Sequence, residues 1–335
     1  MKELIEKLIS TPGPSGYETL IREVVQAEVE AYVDEITVDA LGNLIVRKGP
    51  STDSEAENKI MLAGHMDEIG IIATHIDENG FIRFSNIGGV FPRYVPGGRV
   101  RFLDGTLGVI GTELVTDRYK IPVLSKMFVD VGASSQQDCP IKVGDVAVFE
   151  RPFVDLGDRL VSKAMDDRIA VAVMIAALRQ IEKTPHELYF VFTVQEEVGV
   201  RGATTAAFGI DPDLGLAVDV TACGDTPKGV KMEVALGKGP AIKVKDSGMI
   251  ADPRVVNWMV STADKAKIPY QLEILERGGT DARAIQLTRA GVPAGCLSIP
   301  CRYVHSPSEM VDLNDVEYSV RLLVELLSKS VRLVR

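Results

Sequence analysis

Tryptophan occurs once in this chain, and histidine and cysteine four times each; every one of these scarcities narrows what the protein does. The cysteines (Cys139, Cys223, Cys296, Cys301) form no CxxC pair. They are too few for a disulfide framework in 335 residues and lack the spacing of a thiolate zinc site, so they read as small buried thiols. Basic clusters are missing too: 37 Lys and Arg against 47 Asp and Glu leave a net charge of −10. Such a surface repels phosphate, which excludes nucleic acid and anionic membrane and leaves peptides, small molecules or other proteins as partners. The longest apolar run, Ile169–Leu178, is ten residues, too short to span a bilayer. The opening "MKELIEKLIS" places Leu4, Ile5, Leu8 and Ile9 on one helical face and reads as an amphipathic helix rather than a secretory signal, so a cytoplasmic location is expected.

What is present has the apolar and charged balance of a globular fold. After the first helix come a Pro/Gly turn cluster, "TPGPSGYE", and a second amphipathic helix through Ala31. Two β-prone runs around "LGN" follow, then the apolar strand "NKIMLAGHMD". From Ile69 to Arg159 the texture changes to short strands with frequent glycine, including a hairpin signal at Asn79-Gly80, which predicts a small β-barrel or sandwich. From Leu160 onward apolar strands alternate with helices, which predicts a largely parallel or mixed sheet covered on both faces. The last helix is expected to begin near Asn314, with Glu317 completing a capping box. The simplest arrangement is an α/β domain of residues 1–68 plus 160–335, with a β-rich segment, 69–159, inserted into it.

In α/β folds ligands bind beyond the carboxyl ends of the strands. Here those ends carry His65 and Asp67, Glu196 and Glu197, and Asp219, with His305 a few residues past "GCLSIP". Asp166 and Asp167 open a helix, where the dipole favours anions. Each has an ordinary structural reading alone, as a polar strand edge, a cap or a loop histidine. Together they form a nitrogen and oxygen donor set that suits zinc, cobalt or manganese. His75 and His186 lack such neighbours and read as exposed or structural. Glu196 and Glu197 point to opposite faces while their strand stays regular, and converge only if the chain turns near Gly199. One carboxylate is then free to ligate a metal while the other moves protons.

The motifs "TPGPSGYE", "AGHMDEIG", "SKAMDDR", "VQEEVGVRGA", "AVDV", "GGTDARAIQ" and "VHSPSEMV", spread over residues 11–311, make the sequence resemble the M42 metallo-aminopeptidases, the group that includes the tetrahedral TET aminopeptidases and proteins once labelled endoglucanase M. The resemblance implies a zinc-peptidase-type α/β/α catalytic domain with an inserted small β-barrel used for dimerisation. It further implies two divalent ions, zinc or cobalt: His65 and Asp219 hold one, Glu197 and His305 the other, and Asp166 bridges both. Asp67 stands behind His65, and Glu196 is the general base and then the acid. A cis peptide between Asp166 and Asp167 is implied as well. Peptides are the implied substrates, and dimers assembling into a hollow tetrahedral dodecamer the implied homo-oligomer. A leucine-like, neutral aliphatic preference is our reading of specificity. Asp281 in "GGTDARA" either shapes the site or caps a glycine-rich turn. A deacylase or carboxypeptidase on the same fold is the nearest alternative. A metal-free glycoside hydrolase needs only paired carboxylates, and neither the two gathered histidines nor the single tryptophan fits it. A scaffold without activity is disfavoured because Glu196 and all five implied ligands are in place.

Overall fold

The computed structural model describes residues 1–51, 55–114, 120–331 and 333. Helices α1 (Lys2–Ser10) and α2 (Thr19–Val29) bury Ile5, Leu8 and Ile9, and Ile21, Val25 and Val29, the spacing that turns one stripe inward. Strands β1 (Glu35–Val38) and β2 (Leu44–Lys48) form a hairpin whose turn is held by Asp39, which accepts from the N–H groups of Leu41, Gly42 and Asn43. β3 (Lys59–His65) is then buried along nearly its whole length.

Beyond β3 the chain leaves the main sheet. Strands β4 (Gly70–Ile76), β5 (Ile82–Ile87), β6 (Arg99–Phe102), β7 (Leu107–Thr112), β8 (Met127–Asp130) and β9 (Val146–Phe149) close a barrel in the order β4-β5-β8-β7-β6-β9. Closure removes exposed strand edges and encloses a separate core around Ile71, Ile82, Val100, Val129 and Ala147. The short strand β10 (Val154–Asp155) pairs with β11 (Arg159–Ser162), which brings the chain back into the main sheet.

The remaining elements complete that sheet and its covering layers: α3 (Met165–Gln180), β12 (Glu187–Thr193), α4 (Arg201–Ile210), β13 (Leu214–Thr221), β14 (Ala241–Lys245), α5 (Pro253–Ala266), β15 (Gln271–Ile274), α6 (Ala282–Gln286), β16 (Ala294–Arg302), β17 (Glu309–Asp312) and α7 (Leu313–Leu327). β12, β3, β13 and β16 run parallel at the centre, with antiparallel neighbours on both sides, so the sheet is mixed. Strand alternation sorts its two faces: Ile60 and Leu62 pack toward α1, α2, α3 and α7, whereas Met61 and Ala63 pack toward α4 and α6. The expected α/β architecture with a small barrel is therefore the one observed.

The start of the last helix differs from expectation. Asp312, not Asn314, is the N-cap: its carboxylate accepts from the Asn314 N–H at 2.7 Å and also pairs with Arg159. A carboxylate two residues earlier already satisfies that amide, so Glu317 has no capping role to fill.

Where the chain enters and leaves the barrel, buried charges meet. Glu68, just after β3, contacts Lys163 Nζ at 2.6 and 2.8 Å and Arg168 at 3.4 Å, and accepts from the Gly13 N–H. Arg168 also donates to the carbonyls of Leu8 and Thr11, so one network ties both barrel connections to α1 and α3. Buried ions of this kind stabilise one arrangement only while every partner is present.

Candidate metal centre and active site

The parallel strands end side by side, with His65 of β3 directly opposite Thr193 of β12. Beyond Thr193 the chain turns at Gln195, whose φ of 56° places it in the left-handed region. Ala164, Val200, Tyr303 and His305 share that conformation, so non-glycine residues in costly backbone geometry adjoin the segments that carry Asp166, the Glu196–Glu197 pair and His305. The Asp166–Asp167 peptide is cis.

Asp166 lies between the two histidines: its Oδ1 is 3.0 Å from His65 Nε2 and its Oδ2 is 3.3 Å from His305 Nε2. Glu197 Oε2 is 3.3 Å from the same His305 nitrogen. Ligand atoms of His65, Asp166 and Glu197 all lie within 4.8 Å of one another, and so do those of His65, Asp167 and Asp219. Glu196 approaches His65 Nε2 to 3.9 Å.

Asp67 is completely buried, and its carboxylate mainly holds backbone. It accepts from the N–H groups of Glu196 at 2.9 Å and Glu197 at 3.1 Å, and from Ser15 Oγ at 2.6 Å. His65 Nδ1 is 3.1 Å from the Asp67 carbonyl and 3.4 Å from its carboxylate. The first of these is the better hydrogen bond, and it makes Nδ1 the donor and turns Nε2 toward Asp166. Asp281 sits at the start of α6 without capping it; its Oδ2 accepts from Thr193 Oγ1 at 2.5 Å. His75 is exposed on β4, and His186 is buried elsewhere against the Lys329 carbonyl.

Many carboxylates gathered out of water repel one another. Burial, and after it neighbouring acids, push Glu196, Asp219 and Asp167 well above the usual carboxylate range. Burial likewise raises Asp281, to about 6. Burial would also raise Asp166, but the His305 and His65 rings outweigh it and hold that carboxyl low. Burial opposes a charged His305, yet Asp166 and Glu197 push it up to about 12. The cluster therefore demands positive charge at the point where the His305 proton sits. Buried Glu197 Oε1, Asp167 Oδ1 and Asp281 Oδ1 have no hydrogen-bond partner among the described residues. Hard oxygen donors, imidazole nitrogens and orphaned buried oxygens together fit divalent cations.

Glu309 escaped the reading of the sequence. It is buried on β17, and one carboxylate holds two candidate ligands at their backbones: Oε2 accepts from the Asp166 N–H at 3.0 Å and Oε1 from the His305 N–H at 2.7 Å. Only its place two residues after "HSP" hinted at this. Glu309→Gln sets an amide NH2 against a backbone N–H and is expected to weaken divalent-ion binding about 10- to 100-fold, measured by titration calorimetry. Ser15 was likewise unassigned, since a hydroxyl in a turn carries no distinctive spacing, and Asp167, although gathered with the donors, was given no role of its own.

The chain matches the family model described as M42 glutamyl aminopeptidase over residues 42–322. Lysyl aminopeptidase of Pyrococcus furiosus is 38% identical to it over 343 residues, covering 98% of this chain and 96% of the relative. Among solved structures, aminopeptidase APDkam598 from the archaeon Desulfurococcus kamchatkensis superposes with a TM-score of 0.94 at 45% identity, covering 98% of this chain and 94% of that one. The Pyrococcus horikoshii TET1 peptidase, described as assembling into a tetrahedron or a large octahedral shell, superposes with a TM-score of 0.88 at 34% identity, over 98% and 99% of the two chains. The likeness extends over nearly the whole chain, and the chain belongs to the M42 aminopeptidase family, a family of peptide-bond hydrolases.

Proposed function

We propose that this chain is a metal-dependent aminopeptidase that removes the N-terminal residue of peptides. The observation that carries this reading is a buried acidic cluster with two histidines around Asp166, beside which Glu196 keeps a carboxylate free of hydrogen bonds to the cluster. His65 and Asp219 would hold one ion, Glu197 and His305 the second, and Asp166 would touch both. Two bound ions, zinc or cobalt, would lower the pKa of water and polarise the scissile carbonyl. Glu196, raised by burial, is suited to take the proton of the attacking water and return it to the leaving amine. Asp67 holds the Glu196 and Glu197 amides and so aims both side chains. Asp281, close enough to raise Glu196, adds negative charge that favours a substrate ammonium group and hence the N-terminal bond.

Residues 1–68 and 160–335 would be the catalytic unit, and 69–159 the unit through which copies pair. Copies would pair as dimers and close as a tetrahedral dodecamer; the tetrahedron or large octahedral shell described for the Pyrococcus horikoshii relative supports a homo-oligomer. Among the described residues no helix is long and apolar enough to cross a membrane. Four free cysteines suit a reducing compartment, which supports a cytoplasmic location.

A panel of aminoacyl p-nitroanilides with and without N-acetylation, assayed with added zinc or cobalt, tests the function. Free substrates are cleaved, the leucine derivative fastest, and the acetylated ones are inert. Equal turnover of the acetylated compounds would sink the aminopeptidase reading and favour a deacylase.

A further inference from the structure

The turn that follows β5, Gly88–Phe91, belongs to the barrel, yet it lies against the acidic cluster. His305 Nδ1 is 3.0 Å from the Gly89 carbonyl oxygen. A carbonyl only accepts, so Nδ1 carries a hydrogen and Nε2 is the ring nitrogen turned to Asp166 and Glu197, the atom whose proton a bound ion would replace. The backbone of His305 is held from the other side by Glu309, so the ring is gripped between the barrel and the main sheet.

Both glycines are required by space. A Cβ on Gly89 would clash with the His305 ring, 2.2 Å from its Nδ1. At Gly88, where φ is +71°, a Cβ would stand 3.0 Å from Glu197 Cβ and Oε2. The turn is stiff: Asn86 Nδ2 donates to the Gly88 carbonyl at 2.7 Å, and Val90 is buried in the barrel core. One residue further on, Phe91 leaves that core. Phe91 is 43% exposed, and its ring lies 6.0 Å from the imidazole of His305 at 39°. Arg93 stands 5.3 Å over the ring and covers part of it. A half-exposed aromatic beside a candidate ligand offers an apolar face at the edge of the acidic cluster.

We propose that Gly88–Phe91 makes the barrel a working part of its own subunit's active site, the Gly89 carbonyl fixing the His305 tautomer and Phe91 receiving an apolar substrate side chain beside the scissile bond. Gly89 is thus a positioning residue and Phe91 a specificity-determining one. The substrate half of the inference rests on the aminopeptidase reading; the Gly89 half requires only that the cluster binds ions.

Two variants test it on the full chain. Gly89→Ala is expected to bind one of two zinc ions at least about tenfold more weakly by titration calorimetry, with the barrel still folded by circular dichroism. Phe91→Ala is expected to retain its zinc and its assembly size by light scattering. Its KM should rise about tenfold for peptides with apolar residues flanking the cut and much less for glycyl-glycine peptides, with kcat falling less than KM rises. Wild-type zinc affinity in Gly89→Ala overturns the positioning role. An unchanged KM pattern in Phe91→Ala, or a change in assembly size without one, overturns the substrate wall and assigns the ring to an interface. Should Gly89→Ala fail to fold, the surface substitution Phe91→Ala still decides the substrate wall, and Gly89→Ser, measured alongside Gly97→Ser in an open barrel turn, separates ring displacement from backbone strain: zinc loss in both overturns the Gly89 role. If wild type binds zinc and cleaves no peptide, the functional reading fails while the calorimetric arm still stands or falls alone.

Discussion

Glutamine in place of Glu196 lowers kcat by about a thousandfold while the ions stay bound, the loss expected when a positioned proton carrier is removed. The two side chains have nearly the same shape, and the backbone that aims this one is untouched: its N–H remains on Asp67 Oδ1 at 2.9 Å. What disappears is a carboxylate able to accept a proton. Its burial pushes the acid group well above the ordinary carboxylate range, which makes its carboxylate a stronger proton acceptor. Release of p-nitroaniline gives kcat, and elemental analysis of dialysed protein gives the ion content. Equal kcat in wild type and Glu196→Gln contradicts the mechanism. Loss of ions together with kcat would make Glu196 a ligand instead. Glu197→Gln, by contrast, removes an oxygen 3.3 Å from His305 and is expected to lower ion content first.

Asp166→Asn has the second large effect, because among the described residues no other side chain comes within 4 Å of both histidine rings. Its two oxygens reach His65 at 3.0 Å and His305 at 3.3 Å. Ion affinity is expected to fall at least about 100-fold, the upper end of losses seen when a supporting residue alone is removed. Stability should respond in the same sense. Without ions Asp166, though buried, is paired with both histidine rings, which hold its carboxyl below the usual carboxylate range, so replacing that charge also lowers the stability of the metal-free protein near neutral pH. With ions present, wild type gains thermal stability by mass action and Asp166→Asn does not. Melting curves across a zinc titration read both effects. A full zinc-dependent rise in Tm for Asp166→Asn would mean that the ions bind elsewhere.

Much of the site was legible because its acids and histidines cluster at the ends of apolar runs. His65, Asp219 and the glutamate pair each follow a buried strand, and parallel strands end on a common edge. The opening "TPGPSGYE" could be read as a turn, but not that Ser15 donates to Asp67 and Glu18 accepts from the Gln195 N–H. Those contacts join residues 52 and 177 positions apart, and hydrophobic period has no reach over such a span. The last helix shows the limit at short range. Both Asp312 and Asn314 are competent caps, and the choice fell to the strand β17, which holds Asp312 at its end.

The sequence by itself determined the two kinds of periodicity, hence a mixed α/β sheet interrupted by a barrel, and the nitrogen and oxygen donors that exclude a thiolate centre. Only the tertiary structure decided how those donors are held. Asp67 supports two backbone amides, Glu309 joins Asp166 to His305, and the barrel lends a carbonyl to a histidine 216 residues away. The physical reason is that each of these depends on a backbone N–H or C=O. Every residue carries such groups, so their use leaves no mark in composition or spacing until packing brings a particular one within 3 Å of a side chain.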